Sequence, residues 1–313
     1  MSPKRTAEPA LQPRLGFVLE HTRRVLPAPA WTWLEGALAE VRAGASSDRF
    51  AELQAQAARH TRGLEAQFSP PALAEATRLV PGWWPEYWSA RDLARTALTL
   101  SLPDIGGAGG QALFETWLDT ADEGELIAGL RSLCLLPAGQ RFLARAEEGC
   151  RSNMRSVFEA VLLDTPYPAE HFSEIAWKQA LLKSIFVGAP TWRINGIDRR
   201  LSEDLARMAL DYAEERRSAG REVPPALWLL LGPYGAPRAK LALAELRKSP
   251  LETERLAACL ALARAGDGPG LAQSVALESD PRLRQLMIQL THGPVLAGAF
   301  GALADLTRSL SDT

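Results

Sequence analysis

Cysteine, histidine and β-branched residues are all scarce in this chain. Three cysteines, Cys134, Cys150 and Cys259, stand among 313 residues; an odd, widely spaced set argues against a disulfide framework and for a reducing compartment. The four histidines, His21, His60, His171 and His292, are scattered, with no CxxC pair and no HExxH, so no metal site is expected. A GxSxG elbow, a complete P-loop and a GxGxxG after a strand are also missing, which leaves no catalytic residue and no cofactor assigned. Positive charge is not in excess. The net charge of −2 offers no counterion-release footprint, and this speaks against a nucleic-acid partner. Long apolar runs are lacking too: none approaches the about 20 residues that a membrane span needs. The most apolar stretch, GPVLAGAFGALADL (293–306), is short, glycine-rich and interrupted by Asp305. The opening MSPKRTAEPALQPRL has no apolar core behind its basic residues, so no secretory signal is expected and the cytoplasm is the expected location.

What is abundant is alanine and leucine. The hydrophobic fraction of 47% and charged fraction of 23% are those of an ordinary globular protein. Straight-chain residues and alanine lose little rotamer freedom in a helix, so this balance favours helix. Apolar spacing predicts helices over 14–26, 31–43, 48–66, 70–79, 86–101, 110–120, 123–133, 138–149, 151–163, 169–187, 201–219, 224–231, 237–248, 251–265, 268–277, 281–290 and 294–309, and no segment alternates as a strand would. The expected fold is all-α, an irregular α-solenoid or helical bundle of short helix pairs. RAKLALAELRKS from Arg238 and RLAACLALARAGD from Arg255 are weakly self-similar. The second resembles a HEAT-type repeat helix, although alanine-rich helices in a bundle would read the same way. Three regions are expected, 1–105, 106–235 and 236–313, as parts of one continuous domain. PDIGGAGGQ (103–111) reads as a flexible linker, because backbone entropy opposes regular structure there.

Two stretches could carry function. In PGWWPEYWSARD, Trp83, Trp84, Tyr87 and Trp88 could form a stacking platform for a sugar or aromatic ligand, or could staple a helix entry into the core behind Pro85. The second stretch begins at His171. At about 100° per residue, a helix over 169–187 puts His171, Glu174 and Lys178 on one edge. Phe172, Ile175, Leu182 and Phe186 then form one apolar face, and Trp177, Leu181 and Ile185 a second. Such a helix would be central. Gln179 and Lys183 interrupt it. Lys183 either lays its stem over apolar neighbours with its head in water or points into a polar pocket with Gln179. If desolvated there, it could act as a proton carrier or Schiff-base amine supported by Asp198. The following loop turns at Asn195-Gly196, carries Asp198, Arg199 and Arg200, and ends at Ser202, an N-cap with Glu203 and Asp204 behind it. Asp198 is expected to meet Lys183, Arg199 or Arg200. Leu205, Met208, Ala209 and Tyr212 form the inward stripe of the next helix, and Arg216, Arg217 and Gly220 suit its end.

HFSEIAWKQALLKSIFVGAP followed by INGIDRRLSEDLARMALDYAEERRSAGREVPPALWLLLGPY resembles the signature region of the EboA family of bacterial proteins. The family pattern joins an Ala-Trp-x-Gln…Leu-Lys helix (Ala176, Trp177, Gln179, Leu182, Lys183), a Gly-x-Asp-x-Arg loop (Gly196, Asp198, Arg200) and a Leu-Ala-Arg-Met…Asp-Tyr-Ala-x-Glu-Arg helix (Leu205 to Met208, Asp211 to Ala213, Glu215, Arg216). Lys178 departs from the Asn usual in the family, and Arg200 from a small or neutral residue. The resemblance covers about residues 170–235. It implies a helical protein encoded beside a UbiA-like prenyltransferase homologue, a TatD-like hydrolase, a dehydroquinate-synthase-like protein and a TIM-barrel protein, in a cluster linked to moving a small metabolite across the cytoplasmic membrane. Those proteins, the membrane prenyltransferase-like one among them, and the metabolite are the implied partners. No catalytic residue carries over. His171, Glu174, Trp177, Gln179, Lys183, Asp198, Arg199, Arg207, Asp211 and Tyr212 remain as a candidate ligand or partner surface, with Trp83, Trp84 and Trp88 as a second. A non-enzymatic adaptor or binding protein is the first expectation, and a lysine-based helical enzyme or an aromatic-pocket carrier the alternatives.

Overall fold

The computed structural model describes residues 11–290 and 299–311. Among them there are seventeen α-helices, short 3-10 turns and no strand. His292, residues 294–298 of the last expected helix and the first ten residues lie outside the described set. Contacts divide the chain into two compact units, Met1–Trp177 and Lys178–Thr313.

The first unit holds α1 (Leu11–Val25), α2 (Ala28–Arg42), α3 (Ser47–His60), α4 (Pro70–Leu79), α5 (Ala90–Leu100), α6 (Ala108–Thr120), α7 (Glu123–Ser132), α8 (Leu143–Arg151), α9 (Arg155–Leu162) and α10 (Tyr167–His171). Helix α5 is its hub and packs on α1, α2, α3 and α7. Its small residues Ala90, Ala94 and Ala97 are fully buried beside Leu93 and Leu98, which lets neighbours approach from several sides. Polar groups on so buried a helix need partners. Gln54 Nε2 of α3 donates to the Thr99 hydroxyl at 3.1 Å and Arg95 Nε donates to the Gln54 carbonyl at 3.1 Å, joining α3 to α5. Asp92 closes a capping box with Ser89 and accepts from Arg131 of α7 at 2.6 Å.

The second unit begins within α11 (Glu174–Phe186) and continues through α12 (Glu203–Ser218), α13 (Arg238–Leu246), α14 (Glu252–Arg264), α15 (Gly268–Leu277), α16 (Pro281–Leu290) and α17 (Ala299–Ser311). Here α14 is the hub, with α13, α15, α16 and α17 all packed against it. Its residues from Leu256 to Leu262 are buried without a break.

Four expectations are corrected. Helix 86–101 is broken: Pro85–Tyr87 is a 3-10 turn, Trp88 is extended (φ −81°, ψ 140°), and α5 starts behind the Ser89 cap. Helix 169–187 is broken too, because Phe172 is extended (φ −69°, ψ 141°); a new helix begins where Ser173 Oγ accepts from the Ala176 amide at 3.2 Å. The 224–231 segment is a 3-10 helix, Pro225–Leu230. The glycine run is a close-packed turn rather than a linker. Asp104 (φ 53°) accepts the Gly107 amide on its carbonyl at 2.8 Å, and α6 starts at Ala108. A Cβ on Gly110 would sit 2.4 Å from the Asp104 carbonyl oxygen, so glycine is required there by contact and not for flexibility.

No helix among the described residues is long and apolar enough to cross a membrane. No disulfide joins the three cysteines, and burial pushes the Cys134 and Cys259 thiols up to about 12.

Candidate functional site

The polar residues of α12 form a chain of ion pairs along one exposed face. Lys178 Nζ donates to Asp204 Oδ2 at 2.7 Å, and Asp204 Oδ1 accepts from Arg207 at 2.6 Å. Arg207 reaches Asp211 at 3.4 Å; Asp211 in turn accepts from Arg238 of α13 at 2.9 Å, and Arg238 donates to Glu214 at 3.0 Å. The three- and four-residue spacings within α12 put these side chains one turn apart, and that is why they meet. The hydrogen bonds from Lys178 and Arg207 hold the Asp204 carboxyl down at about 2. Behind the ladder, Leu205, Ala206, Ala209, Leu210 and Ala213 are buried, and the Ser202 hydroxyl caps the helix through the Leu205 amide at 3.2 Å. Met208 and Tyr212 are half-buried at the edge of that stripe.

The loop before α12 is held differently from the expectation. Gly196 takes φ 82°, as the Asn-Gly turn requires, and Arg199 donates to the Asn195 side chain at 2.9 Å. Asp198 pairs with Arg264 at the end of α14, a partner more than sixty positions away that no spacing argument could find. Arg264 also donates to the Leu229 carbonyl at 3.2 Å and lies over the Phe300 ring.

In α11 one face is buried and not two. Trp177, Ala180, Leu181, Ser184 and Ile185 are inside, whereas Ile175 is 71% and Phe186 65% exposed. Gln179 is exposed and Lys183 half-buried. The break at Phe172 removes His171 from the edge it was expected to share with Glu174 and Lys178. Instead His171 stands 4.5 Å from the Tyr167 ring with Nδ1 3.3 Å from Gln140 Oε1, and burial lowers its pKa. Glu174 is exposed.

The tryptophans divide. Trp83 is fully buried, edge-on to Phe17 at 5.2 Å and to Trp88 at 5.5 Å. Trp84 faces outward and donates to Glu86 at 3.0 Å. Trp83 and Trp88 thus staple the core, while Trp84 and Tyr87 remain at the surface.

The first unit also contains a groove of about 470 Å³ that the sequence did not suggest, enclosed by the end of α6, by α7, by α8 and by the start of α9. Leu118, Leu126, Leu130 and Val157 line it, with Met154 at its edge. Arg145 of α8 stands in its wall and is 13% exposed, held by Glu115 at 2.8 Å, Asp119 at 2.5 Å and Glu148 at 3.0 Å. Burial alone would weaken the hold of Arg145 on its proton, but the bonds to Asp119 and Glu115 reverse this and raise its pKa. Gly149 sets the depth: a Cβ there would meet Val161 at 2.7 Å and Leu130 at 3.0 Å, so α8 lies closer to its neighbours than a side chain would permit. Its volume falls in the range of small-molecule clefts, and the charged side chains of Asp119, Arg145, Glu148 and Arg151 share the lining with the apolar ones.

Among known proteins, the family model described as metabolite traffic protein EboA matches residues 17–232. The chain belongs to the EboA family. No curated protein and no solved structure matches the chain. The EboA match spans the groove and the whole of α12, while Arg238 and Arg264, which anchor the ladder and the Asp198 loop, lie beyond its end.

Proposed function

We propose that this chain is a non-enzymatic helical binding protein of metabolite traffic, which holds a small metabolite on the cytoplasmic side and passes it to the proteins of its cluster, a membrane prenyltransferase-like one among them. The observation that carries this reading is the groove bounded by α6 to α9: it is roomy enough for a small molecule, and of the two arginines that line it, the deeper one, Arg145, is already held by three carboxylates. A side chain so engaged positions and excludes; it has no free proton to trade. The ion-pair ladder on α12 supports the same reading, since each charge there is matched by a neighbour and braces α12 against α13. The HEAT-like reading of the C-terminal helices belongs to this proposal and draws on their serial packing, α13 on α14, α14 on α15 and α15 on α16.

Native mass spectrometry of the full chain after exposure to a cell metabolite extract tests the proposal. The expected result is one or a few retained small molecules, released unchanged on denaturation. A chain that retains nothing, or that returns chemically altered molecules with multiple turnovers, would overturn it.

A further inference from the structure

One imidazole of the first unit is buried without a polar partner. His21 of α1 is 4% exposed, and among the described residues no group hydrogen-bonds to its ring. Aromatic rings stand there instead: Phe17, one turn back along α1, at 4.3 Å, and Phe68 at 5.1 Å. Phe68 also lies parallel to Phe17 at 6.3 Å, and Phe17 in turn meets Trp83. Phe68 is the one aromatic residue of the connection between α3 and α4, residues 61–69. The rest of that connection is lightly held. From Arg62 to Phe68 a single hydrogen bond is made among the described residues, from the Leu64 amide to the Thr61 carbonyl at 3.1 Å, and Arg62, Gly63, Glu65 and Gln67 are exposed. Phe17, by contrast, is buried on a helix packed along α5. Water therefore reaches the His21 ring most easily by displacing Phe68.

An imidazolium needs water or a counter-charge. The charged groups that face the ring are Arg24 and Glu20 of α1 and Glu75 of α4; α5, the connection itself and the turn that carries Trp83 add none. Glu20 is already bonded to Arg24. Burial is the largest influence on the ring and lowers its pKa below the ordinary 6.5. We propose that His21 is an acid-sensitive latch: neutral, it holds Phe68 and the connection between α3 and α4 against α1, and protonated, it takes up water and releases them. The sign follows from linkage. The held state is complete above pH 6.5, and below it the proton goes to the released state, in which the ring is hydrated. The latch shares no residue with the lining of the groove and operates whether or not the groove takes a ligand.

Fluorine NMR of the full chain, with para-fluorophenylalanine in place of Phe68 alone, tests the latch between about pH 5 and 7.5. The expected result is a second line, or a shift towards the position of the unfolded chain. The ratio of released to held Phe68 should rise by up to about tenfold per pH unit below 6.5, while circular dichroism keeps its full helix signal. His21→Leu and His21→Phe, which fill the site and cannot take up a proton, should each hold one line at every pH, with thermal melts showing that they fold. A single unmoved line in the chain that keeps His21 would overturn the proposal. So would an acid shift of the same size in the folded variants, or a loss of helix in step with the fluorine change. A line that moves further from the unfolded position in acid would pair the charged ring with Glu75 and overturn it as well.

Discussion

The carboxylate of Asp198, on a 3-10 turn that is 41% exposed at this side chain, meets the guanidinium of Arg264, whose side chain is 1% exposed at the end of α14. A surface loop is thereby fixed to the hub helix of the second unit. Because Arg264 keeps the Leu229 carbonyl and the Phe300 ring, Asp198→Asn removes the charge match and not the whole environment. The expected loss is about 1–2 kcal/mol, between the values for exposed and buried pairs. Urea denaturation of Asp198→Asn, Arg264→Met and the double variant measures it; strict additivity would mean that the two residues do not act together.

The glycine run provides a paired test of turn against linker. Gly110→Ala would bring a Cβ to 2.4 Å from the Asp104 carbonyl oxygen, while Gly109→Ala meets nothing nearer than 3.5 Å. Gly110→Ala is therefore expected to destabilise by about 1–3 kcal/mol, the range for overpacking. Its neighbour Gly109→Ala, in the same helix turn, should be neutral or stabilising by up to about 1 kcal/mol. Equal melting temperatures for the two variants would restore the linker reading.

Most of the secondary structure was legible before any coordinates, since α4, α15 and α16 occupy the ranges that apolar spacing assigns them. Periodicity failed where a local cap outweighed it, at Ser89 and again at Phe172 and Ser173, because one side-chain acceptor can restart a helix in a run that remains apolar throughout. It also overestimated burial: Ile175 and Phe186 fit an apolar stripe yet stand in solvent. The polar partners were less legible than the helices. Arg207 and Asp211 lie one turn apart and could be paired from spacing, whereas Arg264 for Asp198 and Arg238 for Asp211 come from distant helices. The groove left almost no trace. Its walls come from four elements, and no spacing within any one of them brings Leu118, Leu130 and Val157 together.

Acid stability has a component at Asp204. Its folded carboxyl stays ionised down to about 2, against an ordinary 3.8 when unfolded, chiefly through the Lys178 hydrogen bond. A depressed carboxylate pKa means that its contribution is complete above 3.8 and is lost as pH falls through that window. Asp204→Asn should flatten the stability profile there while changing little at neutral pH, as expected of exposed pairs. An unchanged acid limb in that variant would contradict the assignment.

Near neutrality the half-buried His171 contributes, alongside the buried His21, whose pKa burial also lowers. Burial lowers the pKa of His171 below its ordinary 6.5, so the unfolded chain takes up the proton first. Stability should thus be level above pH 6.5 and fall as pH drops toward the folded pKa, and His171→Gln should remove part of that slope. Urea midpoints measured between about pH 5 and 7.5 read this directly. A slope of the opposite sign would mean that the ring gains a negative partner on folding.

Methyl-resolved NMR on the full chain, followed during titration with a metabolite extract, tests the central claim most directly. The account predicts shifts at Leu118, Leu126, Leu130, Met154 and Val157, the apolar lining of the groove, with the methyls of α12 unmoved and the added metabolite recovered intact. Shifts confined to residues outside the groove, or conversion of the metabolite in the tube, would contradict it.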